Sequence, residues 1–123
     1  MSSVLVVDDE ADIRFVVRRM IERMEGDSLV VHEASSGDEA IERWRALRPD
    51  VIVLDQRMPG LSGVETAARI LAEHPAQRLI LFTAYRDDLE DEAGLTAGIA
   101  RLSKSQLNRL PAELRLLLDG NRP

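Results

Sequence analysis

Five short apolar runs that alternate with segments of helical periodicity predict an α/β protein, with one parallel sheet covered by helices on both faces. The runs are rich in Val, Ile and Leu: Val4–Val7, Leu29–Val31, Val51–Leu54, Leu79–Phe82 and, more weakly, Ile99–Leu102. Runs this short suit buried strands, and strands alternating with helices read as crossover units.

The helices follow in order. Ile13, Val17, Met20 and Met24 recur on one face of a helix from about Ala11 to Met24. Ala40, Ile41, Trp44 and Leu47 make the second stripe, before Pro49, with Asp38 at the helix start. Val64, Ala67, Ala68 and Leu71 follow Gly63, and Pro75 ends that helix. Arg86 to Leu95 is a weaker and very acidic helix. Leu110, Leu114, Leu117 and Leu118 form the last stripe, where Pro111 suits a first turn and Gly120 a C-cap. No linker, repeat or low-complexity tract breaks the chain. One domain is expected over residues 1–120, with 121–123 as a C-terminal tail.

Composition excludes several classes. At 123 residues the chain can build a core without staples. It has no cysteine, hence no disulfide framework, thiolate metal site or cysteine nucleophile. Its net charge of −6 argues against direct nucleic-acid binding. No apolar stretch approaches the ~20 residues of a membrane span, and the N-terminal run is too short for a signal peptide. The expectation is a soluble cytoplasmic protein.

Ligands of a doubly wound sheet bind at the carboxyl ends of its strands. Asp8 and Asp9 follow the first strand, Asp55 the third and Thr83 the fourth, and Lys104 lies just beyond the fifth. Three carboxylates, a hydroxyl and an ammonium therefore converge on one edge. Clustered carboxylates raise one another's pKa unless a cation relieves them. Mg²⁺ suits this set, because it takes one or two carboxylates, several waters and phosphate oxygens. With the ion bound, Asp55 can stay ionised and attack phosphorus as a nucleophile, while Thr83 and Lys104 stabilise charge on the transferring group.

These motifs, VLVVDDE, VIVLDQRMPGLSG, LFTAY and RLSK in that order, resemble those of response regulator receiver domains, the phosphoacceptor half of two-component signalling. The resemblance covers essentially the whole chain. It implies a flavodoxin-like sheet of order 2-1-3-4-5 with five helices in three α/β/α layers. It further implies that Asp55 accepts a phosphoryl group, that Asp9 binds Mg²⁺ directly, that Asp8 acts mainly through water, and that the main-chain carbonyl of Arg57 is a further ligand. Thr83 would be the switch hydroxyl and Lys104 the phosphate's ion-pair partner. Ala84 leaves the donor an approach path, and Met58, Pro59 and Gly63 shape the neighbouring loop. Such a domain catalyses only its own phosphorylation and dephosphorylation, and is not an enzyme in the usual sense.

The partner implied is a histidine kinase or phosphotransfer protein docking on the first helix. There Phe15 points about 200° round from Ile13, between Ala11 and the pair Arg18 and Arg19. Two positions depart from the family pattern: Arg101 replaces the usual aromatic switch residue, and Ser105 replaces proline. A trans Lys104–Ser105 bond is expected, since a non-proline cis bond costs ~2.5–4 kcal/mol. Arg101 is expected to stay outward, paired with the acidic helix (Asp87, Asp88, Glu90, Asp91, Glu92). The same charges could pair with Arg109 and Arg115 across a homodimer formed by the acidic helix, the fifth strand and the last helix.

Other readings are weaker. A Mg²⁺-dependent phosphatase would want an acid two residues after Asp55, where Arg57 stands. A pseudo-receiver that only binds partners usually lacks a site residue, and all five are present. There is no Gly-rich phosphate loop after the first strand. Glu10 reads as a turn residue, His32 and His74 as surface residues, and Trp44 as helix–sheet packing.

Overall fold

The computed structural model describes residues 2–24, 29–84 and 99–119. Strands β1 (Ser2–Val7), β2 (Leu29–Ala34), β3 (Val51–Leu54), β4 (Arg78–Thr83) and β5 (Ala100–Ser103) form one sheet in the order β2-β1-β3-β4-β5. All four pairings are parallel, as the apolar runs predict. Helices α1 (Ala11–Met24), α2 (Gly37–Leu47), α3 (Gly63–Glu73) and α4 (Leu110–Asp119) flank it, and a 3₁₀ segment, Lys104–Arg109, leads into α4. The acidic helix at 86–95 and the Gly120 cap lie outside the described residues.

The pleat divides the core into two layers. Val4 and Val6 pack with Val17 and Ile21 of α1 and with Leu110, Leu114 and Leu118 of α4. Leu5 and Val7 face the other way, onto Ala40 and Trp44 of α2 and Ala67 and Ile70 of α3. Trp44 is fully buried, as helix–sheet packing requires, and its Nε1 donates to Gln77 Oε1 at 2.9 Å. Arg48, in the left-handed conformation that caps α2, lies 4.3 Å over the Trp44 ring.

Three helical stripes sit slightly differently from the pattern read in the sequence. On α1 the fully buried residues are Val17 and Ile21, while Ile13, Met20 and Met24 pack at the edge. On α2, Leu47 is exposed, because the chain turns away at Arg48. On α3 the buried face is Gly63, Thr66, Ala67 and Ile70, one position round from Val64, Ala68 and Leu71. Thr66 can be buried because its hydroxyl donates to the Ser62 carbonyl oxygen at 2.8 Å. Ser36 caps α2, with Asp38 in its first turn, and Ser62 and Glu65 form a reciprocal capping box on α3.

Candidate functional site

The central strand β3 and its neighbour β1 deliver the acids. The main-chain N–H of Asp8 donates to the Ala34 carbonyl at 3.1 Å and that of Asp55 to Val7 at 3.0 Å, so the ladder runs one residue past each strand end. Asp8 and Asp55 are thereby fixed side by side and are almost wholly buried, whereas Asp9 is exposed. One carboxylate oxygen from each of the three lies within 4.8 Å of the others. This is an oxygen-only donor set of the kind that hard divalent cations take.

Lys104 reaches in from the other side. Its Nζ lies 2.7 Å from Asp8 Oδ2 and 3.4 Å from Asp55 Oδ1. Thr83, fully buried at the end of β4, is in register with Ser103, so Lys104 is the first residue beyond the strand pairing that holds the hydroxyl. All five residues singled out in the sequence thus stand at the carboxyl edge of the sheet. Among the described residues no peptide bond is cis, so Lys104–Ser105 is trans.

Burial, reinforced by the charge of Asp8, pushes the Asp55 carboxyl up to about 6, although Lys104 and the Gln56 N–H pull it down. Burial works against the Lys104 ammonium, but its hydrogen bond to Asp8 and the charge of Asp55 leave it above its ordinary value. The site therefore holds more negative charge than one lysine balances.

The β3–α3 loop is built around Gln56, for which the sequence offered no role. Its Oε1 accepts from the Val64 N–H at 2.7 Å, its carbonyl oxygen accepts from Gly63 at 2.9 Å, and its own N–H donates to Asp55 Oδ1 at 2.9 Å. Gln56 thus ties the acceptor carboxylate to the first turn of α3. Met58 is buried beneath the loop, while Arg57 and Pro59 are exposed. Arg14 was also missed: its Nη1 donates to the Asp8 carbonyl oxygen at 2.7 Å. Glu10 is exposed, and its N–H donates to Asp8 Oδ1 at 2.9 Å, a turn role as expected. Arg101 is half-buried and donates to the Ile99 carbonyl at 3.2 Å. The acidic residues expected to pair with it lie outside the described residues.

Residues 4–115 match the family described as the response regulator receiver domain. The chain belongs to that family. Among relatives of this receiver domain, the response regulator GacA of Pseudomonas protegens is 36% identical over an alignment of 124 residues, covering 99% of this chain and 58% of that protein. The positive alginate biosynthesis regulatory protein of Pseudomonas aeruginosa is 36% identical over 102 residues, 83% of this chain and 41% of that protein. The chain thus spans 58% or less of the length of these relatives. The crystal structure of response regulator TrrA from Thermotoga maritima in complex with Mg²⁺ and BeF superposes with a TM-score of 0.84 at 28% identity, covering 95% of this chain and 99% of that one. TrrA in complex with the histidine kinase ThkA matches with a TM-score of 0.82 at 29% identity, over 96% and 99% of the two chains. Among the described residues, no helix is long and apolar enough to cross a membrane.

Proposed function

We propose that this receiver domain accepts a phosphoryl group on Asp55 from a phosphohistidine of a kinase or phosphotransfer protein and later loses it by hydrolysis. The observation that carries this reading is the placement of Asp55, with Lys104 Nζ 3.4 Å from its Oδ1 and two further carboxylates beside it. An Asp55 oxygen attacks phosphorus, the phosphorus–nitrogen bond breaks, and the electron pair stays on the imidazole. In the return step water attacks phosphorus, and inorganic phosphate leaves as Asp55 is restored. Lys104 pairs with a phosphoryl oxygen, the Thr83 hydroxyl donates to another, and exposed Ala84 leaves the donor a path. Asp9, Asp55 and the carbonyl of Arg57 would hold magnesium, with Asp8 acting through water because its oxygens already accept from Lys104 and Glu10. The ion supplies positive charge that keeps Asp55 ionised and offsets charge on the transferring oxygens. TrrA, the relative bound to Mg²⁺ and BeF, supports that cofactor. A phosphohistidine donor fits a cytoplasmic location.

The donor's docking surface in this reading is α1. Phe15 is 62% exposed and Val16 43%, and they line a shallow groove with Arg19, Met20 and Arg23. Arg18 turns aside to Glu33 (2.6 Å) and Glu22 (3.7 Å), so Arg19 and Arg23 rather than Arg18 supply the basic rim. The test is transfer from an autophosphorylated cognate kinase in Mg²⁺. The chain gains the label as the kinase loses it, and Phe15→Ala slows this about tenfold while labelling by acetyl phosphate continues at the wild-type rate, as loss of one buried aromatic anchor predicts. Label that stays on every candidate kinase overturns the function. Equal slowing with both donors overturns the docking surface.

A further inference from the structure

Asp8 is held at nearly every polar atom. Its N–H is in the β1–β2 ladder, and its carboxylate accepts from Glu10 and Lys104. What remains is its carbonyl oxygen, the pivot of the Asp8–Asp9 peptide, and that atom accepts from Arg14 Nη1 at 2.7 Å. Arg14 is itself fixed: its Nε lies 3.1 Å from Glu33 Oε1, on the edge strand β2. The other oxygen of Glu33 takes Arg18 Nη1 at 2.6 Å, one turn further along α1, and Arg18 Nη2 donates to the Val31 carbonyl at 3.2 Å.

We infer that Arg14, steadied by Glu33, is a positioning residue that sets the direction in which Asp9 leaves β1 and so completes the cation site. This rests on the proposed function. Asp9 is the exposed member of a like-charged cluster, and repulsion from Asp8 and Asp55 drives it outward. A planar guanidinium bonded to the preceding carbonyl stops that peptide from rotating. Glu33 keeps the same guanidinium on the carbonyl and away from the carboxylates, where it would compete with the metal. Groups that orient ligands from behind in this way typically change metal affinity 10–100-fold when removed.

Electrostatics alone predicts the opposite sign. Deleting a nearby positive charge should tighten cation binding, whereas loss of positioning weakens it. The test is Mg²⁺ titration calorimetry on the unphosphorylated chain, with acetyl-phosphate labelling rates measured across Mg²⁺ concentration. Arg14→Ala should raise the Mg²⁺ dissociation constant about tenfold, and the labelling rate at saturating Mg²⁺ should be retained. Arg14→Lys should recover part of the affinity, and Glu33→Gln should show a smaller loss of the same sign. Ile21→Val, a core truncation on the same helix, should lower the melting temperature and leave Mg²⁺ affinity unchanged. Unchanged or tighter binding in Arg14→Ala overturns the inference, as does an equal loss in Ile21→Val. A wild-type chain that gives no Mg²⁺ binding overturns the proposed function itself.

Discussion

Gly63→Ala should cripple the acceptor site without touching a charge. A methyl at this position would overlap the Asp55 carbonyl oxygen and lie 2.9 Å from Gln56 Cα. Both neighbours are main chain, so no side chain can move out of the way. Either the first turn of α3 backs off or the end of β3 does, and each shift pulls on the Gln56 bonds that align the Asp55 carboxylate. Overpacking of this kind costs about 1–3 kcal/mol, and a misplacement near 1 Å costs a rate factor of about 10². Thermal unfolding and acetyl-phosphate labelling read the two effects. Gly60→Ala is the contrast: its φ of +82° makes alanine strained, but nothing lies within 4 Å of the added methyl, so only stability should fall. A Gly63→Ala protein with wild-type melting and labelling would show that the loop has slack that this account denies.

Asp55→Asn should stabilise the metal-free protein at pH 8 and much less at pH 4. The carboxyl titrates at about 6 when folded, above its ordinary 3.8, chiefly through burial and secondarily through Asp8. A raised acid pKa means that the folded state holds the proton more tightly. Wild-type stability therefore falls as pH rises from about 4 to 6 and stays at the lower level above that window. Asparagine removes this dependence and keeps an oxygen to accept the Gln56 N–H. Solvent that reaches the mouth of the site reduces the full linkage figure to about 1–2 kcal/mol, or roughly 4–8 °C in melting temperature. Adding Mg²⁺ should reverse the order, because it stabilises the wild type by mass action and the variant much less. Melting curves at pH 4 and pH 8, with and without Mg²⁺, check both halves. A variant no more stable than wild type at pH 8 would mean that Lys104 already neutralises the cluster.

The sheet was legible because the apolar runs of its three inner strands, β1, β3 and β4, are buried on both sides, whereas the edge strands β2 and β5 are only partly buried. β3 has the limits its apolar run suggests, and β1 and β4 extend only by polar residues at their ends. β2 runs on through His32, Glu33 and Ala34, and β5 is shifted by one residue, leaving out Ile99 and taking in Ser103. Residues that follow such runs must emerge at one edge, so the convergence of Asp8, Asp9, Asp55, Thr83 and Lys104 could be read before any coordinates. The face of α3 was harder to read. Its alanines carry little directional signal, and a threonine whose hydroxyl is satisfied by its own helix can lie inward. Gln56 and Arg14 were illegible for another reason. Each acts on main-chain atoms, which every residue carries, so no residue type marks the partner. Arg14 and Glu33 are 19 positions apart and meet only because α1 packs over β2.

Site mapping identifies the phosphoacceptor. The protein is treated with acetyl phosphate and Mg²⁺, the acyl phosphate is trapped by borohydride reduction, and peptide mass spectrometry locates the modified residue. One modified position, Asp55, is expected, with no modification when the metal is chelated. Reduction at another carboxylate, or an unreduced phosphate on a hydroxyl such as Thr83, would contradict the Asp55 assignment.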